Sequence, residues 1–181
     1  PAKIIYIGHD LEFLSSERKY ELTLDEEHKS DIERNKRIET YIFNTVDIIL
    51  PFSSFEAPYI KKIVPHKTVE TIPVYFYENG IESQNGFHDR QDILFVGGFG
   101  HLPNIDAVNW FINEIFPLVQ EKMPGTRLIV VGSKPTEEVC SYACDDIIIT
   151  GYVSDEELEE YYKNCKLAIL PLRYGAGVKG K

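Results

Sequence analysis

Ile93-Leu94-Phe95-Val96-Gly97-Gly98-Phe99-Gly100-His101-Leu102-Pro103-Asn104 runs from four consecutive apolar residues into a glycine turn. After it, Ile105, Val108, Phe111, Ile112, Ile115, Phe116 and Val119 recur at helical spacing. A strand, a tight turn and an amphipathic helix over Asn104 to about Lys122 follow from that pattern, with Pro124 and Gly125 as the stop. A short, continuously apolar strand feeding a helix is the mark of a sheet covered on both faces.

The same grammar extends to both sides. Apolar runs closed by Gly or Pro lie at Ile4–Gly8, Asp47–Pro51, Val69–Pro73, Leu128–Gly132, Ile147–Gly151 and Leu167–Leu172, and the first of these reads as a buried strand. Ser154-Asp155-Glu156-Glu157 predicts a capping box and a helix to about Lys163. Thr23-Leu24-Asp25-Glu26 carries the same signature ahead of a polar helix reaching about Asn44. Strands alternating with helices mean βαβ units and a parallel sheet, an α/β doubly wound architecture. Tyr75 to Arg90 lacks periodicity and contains Asn79-Gly80 and Asn85-Gly86, so it separates three strands from four as an interdomain linker.

The 181 residues carry a formal net charge of −10. A broad basic face is therefore missing, which argues against nucleic-acid partners and requires any anionic ligand to meet a local basic site. No apolar run approaches the roughly 20 residues that span a bilayer. Cys140, Cys144 and Cys165 are too few for a disulfide framework and suit a reducing cytosol. Cys140 and Cys144 stand at i, i+4 without a nearby His or third Cys, and burial in a helix is expected of them rather than zinc.

Ligands of open α/β sheets bind beyond the carboxyl ends of the strands. Gly97, Gly98 and Gly100 allow backbone to approach an anion there, and Asn104 could cap the helix. The segment from Tyr161 to Lys181 holds five basic residues (Lys163, Lys166, Arg173, Lys179, Lys181) and no acid, a reversal of the chain's overall charge. Within it, Gly175-Ala176-Gly177-Val178-Lys179-Gly180-Lys181 suits a pyrophosphate, although it is not a P-loop. His9-Asp10 follows the first strand, where an imidazole could meet a substrate hydroxyl, and Gly151-Tyr152-Val153 could read a base through backbone amides. No Asp-x-Asp pair is present, Asp10-Leu11-Glu12 being the nearest, so metal-dependent phosphate binding is disfavoured. A Gly-x-Ser-x-Gly elbow is missing as well.

Val96-Gly97-Gly98-Phe99-Gly100-His101-Leu102-Pro103-Asn104, Val130-Val131-Gly132, Gly151-Tyr152-Val153, and Pro171-Leu172 with Gly175 to Lys181 together resemble the donor-binding half of family 4 (group 1) glycosyltransferases. Tyr6-Ile7-Gly8-His9-Asp10-Leu11 and Ala57–Pro73 resemble the end of that family's acceptor domain. The resemblance implies two Rossmann-like parallel-sheet portions of GT-B type, both incomplete: residues 1–74 as the tail of the acceptor-side domain, 75–91 as linker, and 92–181 as most of the donor domain. It implies a retaining, metal-free transfer of a sugar from a nucleotide-sugar donor to a sugar or lipid-linked acceptor, in envelope or capsule polysaccharide synthesis. No cofactor is expected. The setting is cytoplasmic, and peripheral association of the parent with the inner membrane face is left open. By position, Gly97 and Gly98 approach the donor phosphates, Lys179 and Lys181 pair with the diphosphate alongside Gly177, Tyr152 and Val153 contact the base, and His9 serves the reacting sugar.

The resemblance has gaps. Many relatives place Arg and Lys after the Val-Gly strand, where this chain has Gly98-Phe99-Gly100-His101. The first Glu of a common Glu-x7-Glu pair aligns with Ala176, and the second would fall beyond Lys181. The chain opens in a strand and stops in a glycine loop, which reads as a truncated piece without transferase activity of its own. A noncatalytic α/β nucleotide-binding module and a GT-B-type nucleotide-sugar epimerase are the alternatives. A dinucleotide oxidoreductase fits least, since Pro103 stands where the fingerprint would be completed.

Overall fold

A computed structural model describes residues 2–74 and 86–179. The described chain is α/β with two parallel sheets, and it divides into two compact units. Among the described residues, the first comprises 2–74 and 174–179 and the second 86–173. Most of the linker read from the sequence, 75–85, lies outside the described residues, as do Gly180 and Lys181.

In the first unit, β1 (Ile5–Gly8), β2 (Ile48–Pro51) and β3 (Thr68–Val69) pair in chain order, with Ile5 opposite Ile48 and Ile49 opposite Val69. Helices α1 (Glu12–Thr23), α2 (Glu26–Thr45) and α3 (Ala57–Ile63) complete it. Phe13, Phe43, Ile49, Ile60 and Val64 form its core. The expected burial of the first strand is corrected: β1 is an edge strand, and Ile5 and Ile7 are each about half exposed.

The capping signature at Thr23 is displaced. Thr23 closes α1, its hydroxyl donating to the Lys19 carbonyl, and Leu24 follows with a left-handed φ of 54°. Asp25 caps α2 instead, accepting the Glu27 N–H at 3.0 Å. Helix α1 has no cap of its own. Its first N–H groups, those of Glu12 and Phe13, donate to the Glu39 carboxylate on α2 at 2.8 and 3.1 Å.

In the second unit, β4 (Gln91–Val96), β5 (Leu128–Val131), β6 (Ile147–Gly151) and β7 (Cys165–Ile169) lie in the order β6-β5-β4-β7. Alternate residues of β4 face opposite cores. Ile93 and Phe95 pack with Val108, Phe111 and Phe116, while Leu94 packs with Ile129, Val131 and Cys165 beneath Leu158 and Tyr161. Burial on both faces explains why the strand is apolar throughout.

The helix after β4 keeps its apolar face but is not one α-helix. α4 (Leu102–Trp110) passes into a π-helical turn, Phe111–Ile115, before α5 (Phe116–Lys122). Pro117 is the cause: it has no N–H for the Asn113 carbonyl, and the Phe116 N–H reaches back to Phe111. A short α6 (Glu137–Ser141) follows β5. The Ser154 capping box starts α7 (Asp155–Asn164) with both reciprocal bonds in place. Cys140 and Cys144 are exposed, against expectation, because α6 ends at Ser141 and cannot carry both on one face; only Cys165 is buried.

Candidate functional site

Each described member of the predicted site follows the carboxyl end of a strand or lies in the terminal glycine loop, and the two units hold different members of the set. In the second unit the turn after β4 is knitted into the sheet. The Gly97 N–H donates to Val131 O at 2.9 Å, the Phe99 N–H to Ser133 O at 2.9 Å, and the His101 N–H to Gly98 O at 3.3 Å. Gly97 and Phe99 are buried, whereas Gly98 and Gly100 are exposed. Asn104 does not cap α4. His101 holds the N-cap position, and the buried Asn104 amide donates to Gly98 O at 2.7 Å, fixing the turn from within.

Gly132, after β5, supports the same turn from below. An ideal Cβ there would stand 2.0 Å from the Gly97 carbonyl oxygen, so only glycine lets the two backbones approach. After β6, Tyr152 is 79% exposed and Val153 packs on the Leu94 face of the sheet. The Arg173 guanidinium is held by Asp106 and lies over Trp110, which removes one of the five cations from those expected to meet an anion.

In the first unit the turn after β1 and the terminal glycine loop come together. Arg18 donates to Gly175 O at 2.6 Å, Lys19 lies over the Tyr174 ring, and Gly175 and Ala176 are buried. The Gly177 N–H donates to Glu56 Oε1 at 2.6 Å. Gly177 has φ +71°, and a Cβ on it would fall 1.7 Å from Asp10 Oδ1 and 2.8 Å from His9 O. His9 is exposed and meets the Phe52 ring edge-on at 4.8 Å between centroids. Lys179 is exposed, with Nζ donating to Ala176 O. Lys181 lies outside the described residues.

Two buried carboxylates escaped the sequence reading. Glu39 and Glu56 are 6% and 2% exposed, and burial pushes both above the usual carboxylate range. Backbone donors oppose that shift, Phe13 and Glu12 at Glu39, Gly177 and Leu11 at Glu56. Ser53-x-x-Glu56 has the spacing of a capping box, which would have assigned this carboxylate to a nearby amide; the Glu56 side chain makes no cap bond.

Two pockets are poor homes for a diphosphate. One of about 350 Å³ beside His9 is bordered by Asp10, Glu12 and Glu39 and would repel it. Another of about 370 Å³ contains Asp92, Arg127 and Cys165, at the amino ends of the strands. There Arg127 is already held by Asp92 at 2.6 Å, and burial pushes the Cys165 thiol up to about 11. Among the described residues no group of three His, Cys, Asp or Glu is placed to hold a metal ion, and no helix is long and apolar enough to cross a membrane.

Rossmann-like α/β portions with glycine turns at the strand ends define a broad class, and comparison with known proteins narrows it. Residues 90–181 match the glycosyl transferases group 1 family, and the chain belongs to that family. Over 97 residues it is 31% identical to an uncharacterized 44.6 kDa protein in the cps region of Klebsiella pneumoniae, a match covering 50% of this chain and 25% of that protein. Its fold resembles the crystal structure of TarM with a TM-score of 0.64 at 12% identity, over 92% of this chain and 31% of TarM. The chain thus spans about a quarter to a third of the length of these two proteins.

Proposed function

We propose that this chain is the donor-binding portion, with an adjoining acceptor-side portion, of a retaining family 4 glycosyltransferase that uses a nucleotide sugar in capsule or envelope polysaccharide synthesis. The observation that carries the reading is the position of the Gly97-Gly98 turn and of Tyr152-Val153, both at strand carboxyl ends within the segment that matches the family. The cps-region relative supports the polysaccharide context.

In this reading Gly98 and the backbone behind it approach the donor phosphates, and Tyr152 and Val153 contact the base. Lys179 and Lys181 pair with the diphosphate. His9 serves the reacting sugar, and the acceptor is a sugar or a lipid-linked sugar. Negative charge builds on the departing nucleoside diphosphate during transfer, and a preorganised ammonium stabilises it without a metal ion. Lys179 now donates to the neutral Ala176 carbonyl, a bond that a phosphate oxygen would replace with one between opposite charges.

Calorimetric titration of nucleotide sugars in the presence of EDTA tests this. Saturable binding that Lys179→Ala weakens about tenfold, roughly 1.4 kcal/mol, is expected. Binding that requires added divalent metal, or that Lys179→Ala leaves unchanged, would refute the diphosphate clamp.

A further inference from the structure

The Glu56 carboxylate is buried, yet it does no work for the helix at whose N-cap it stands. Its Oε1 accepts two backbone N–H groups from distant parts of the first unit, Leu11 at 3.3 Å and Gly177 at 2.6 Å, which lie 45 and 121 residues away in the chain. Leu11 follows the His9-Asp10 turn directly, and Gly177 stands two residues before Lys179. One oxygen atom therefore ties the turn that carries His9 to the loop that carries Lys179.

Two further contacts show that this junction is fitted. Gly177 lies so close to Asp10 and to the His9 carbonyl that no Cβ can be accommodated. Arg18 holds the loop two residues earlier, at Gly175 O, and is the cation acting on Glu56, while Asp10 and Glu39 are the other carboxylates whose charges reach this group. Burying a carboxylate is costly, and the cost is tolerated where the group fixes a geometry that a neutral side chain would leave loose.

We propose that Glu56 is a positioning residue: it fastens the 175–179 loop to the turn after β1, and so sets where Lys179 presents its ammonium to the diphosphate of a donor. The role rests on the donor reading above. Glu56 touches no substrate in this scheme and acts through Gly177.

The test uses the full chain with Glu56→Gln, which keeps an acceptor oxygen, and Glu56→Leu, which keeps the volume without one. Amide exchange reads the tether: Gly177 should exchange about tenfold faster in the Leu variant and within about threefold of wild type in the Gln variant. Titration with UDP, GDP and ADP and their monophosphates reads the consequence. The Leu variant should weaken the preferred diphosphate about tenfold and its monophosphate less than about twofold, and should cost nothing more in a Lys179→Ala background.

Unchanged exchange at Gly177 overturns the proposal. So does equal weakening of di- and monophosphate, which is what general loosening of the fold would produce. Wild-type protein that binds no nucleotide overturns the donor reading itself. The exchange result then judges the tether alone, upheld by lost protection in the Leu variant and overturned by protection that persists.

Discussion

Gly132→Ala is the substitution for which the structure sets the sharpest expectation. The new Cβ would stand 2.0 Å from the Gly97 oxygen and 2.7 Å from the Gly97 carbonyl carbon, both backbone atoms that cannot swing aside. Ordinary contact begins near 3.4 Å, so the two turns must part by about 1.4 Å. The Gly97 N–H to Val131 O bond, now 2.9 Å, would stretch to about 4.3 Å and be lost. Overpacking of this kind costs about 1–3 kcal/mol and a lost backbone bond about 1 more, so the variant should be destabilised by about 2–4 kcal/mol. With a urea m-value of about 2 kcal/mol/M the midpoint would fall by about 1–2 M. Gly100→Ala is the matched control. It has no heavy atom within 4 Å of the added Cβ and should be neutral or more stable by about 0.5 kcal/mol. A Gly132→Ala variant within about 0.5 kcal/mol of wild type would show that the two backbones do not approach as described.

Three other outcomes are expected. The Glu39 carboxyl is held above its ordinary 4.5 by burial, so the folded chain binds its proton more tightly than the unfolded one. That contribution is complete below pH 4.5 and lost as pH rises through the folded value, so Glu39→Gln should gain on wild type in urea unfolding between pH 4.5 and 7; an equal difference at both pH values would refute this. Ser154→Ala removes a reciprocal cap and should cost about 1 kcal/mol, with α7 amides exchanging faster while those of α4 do not change. Asp92→Ala takes the bidentate partner from Arg127 and leaves an alanine at φ +63°, so it should lower the unfolding midpoint by more than Arg127→Ala does, and the reverse order would refute the strain argument.

How much of this was legible follows from where the deciding partner sits. β4, β6 and α7 could be read because the cues are local: a run of apolar residues covered on both faces, and a Ser hydroxyl bonded to an amide three residues on. α1 could not be, because its N-terminal donors are satisfied by Glu39, 27 and 26 residues away on another helix. Pro117 was present to announce the π-turn but was masked by the regular apolar spacing around it. The exposure of Ile5 and Ile7 depends on the position of β1 at a sheet edge, which an apolar run does not encode.

The candidate site divides in the same way. Gly97, Gly98, Tyr152 and Val153 were found because strand ends predict where backbone comes forward. Asn104 was given the cap by its place at the head of the helix pattern, and only the three-dimensional turn shows that its amide reaches Gly98 instead. Glu56 had no cue at all, since its partners are Leu11 and Gly177 and its own neighbourhood suggests a helix cap.

The most direct measurement is a backbone amide NMR titration of the chain with UDP, GDP and ADP. The account predicts saturable shifts for at least one of them at Gly98, Tyr152, Val153 and Lys179, with the Lys179 shifts lost when the matching nucleoside is used. Shifts confined to the Asp92–Arg127 pocket, or no shifts at millimolar nucleotide, would contradict it.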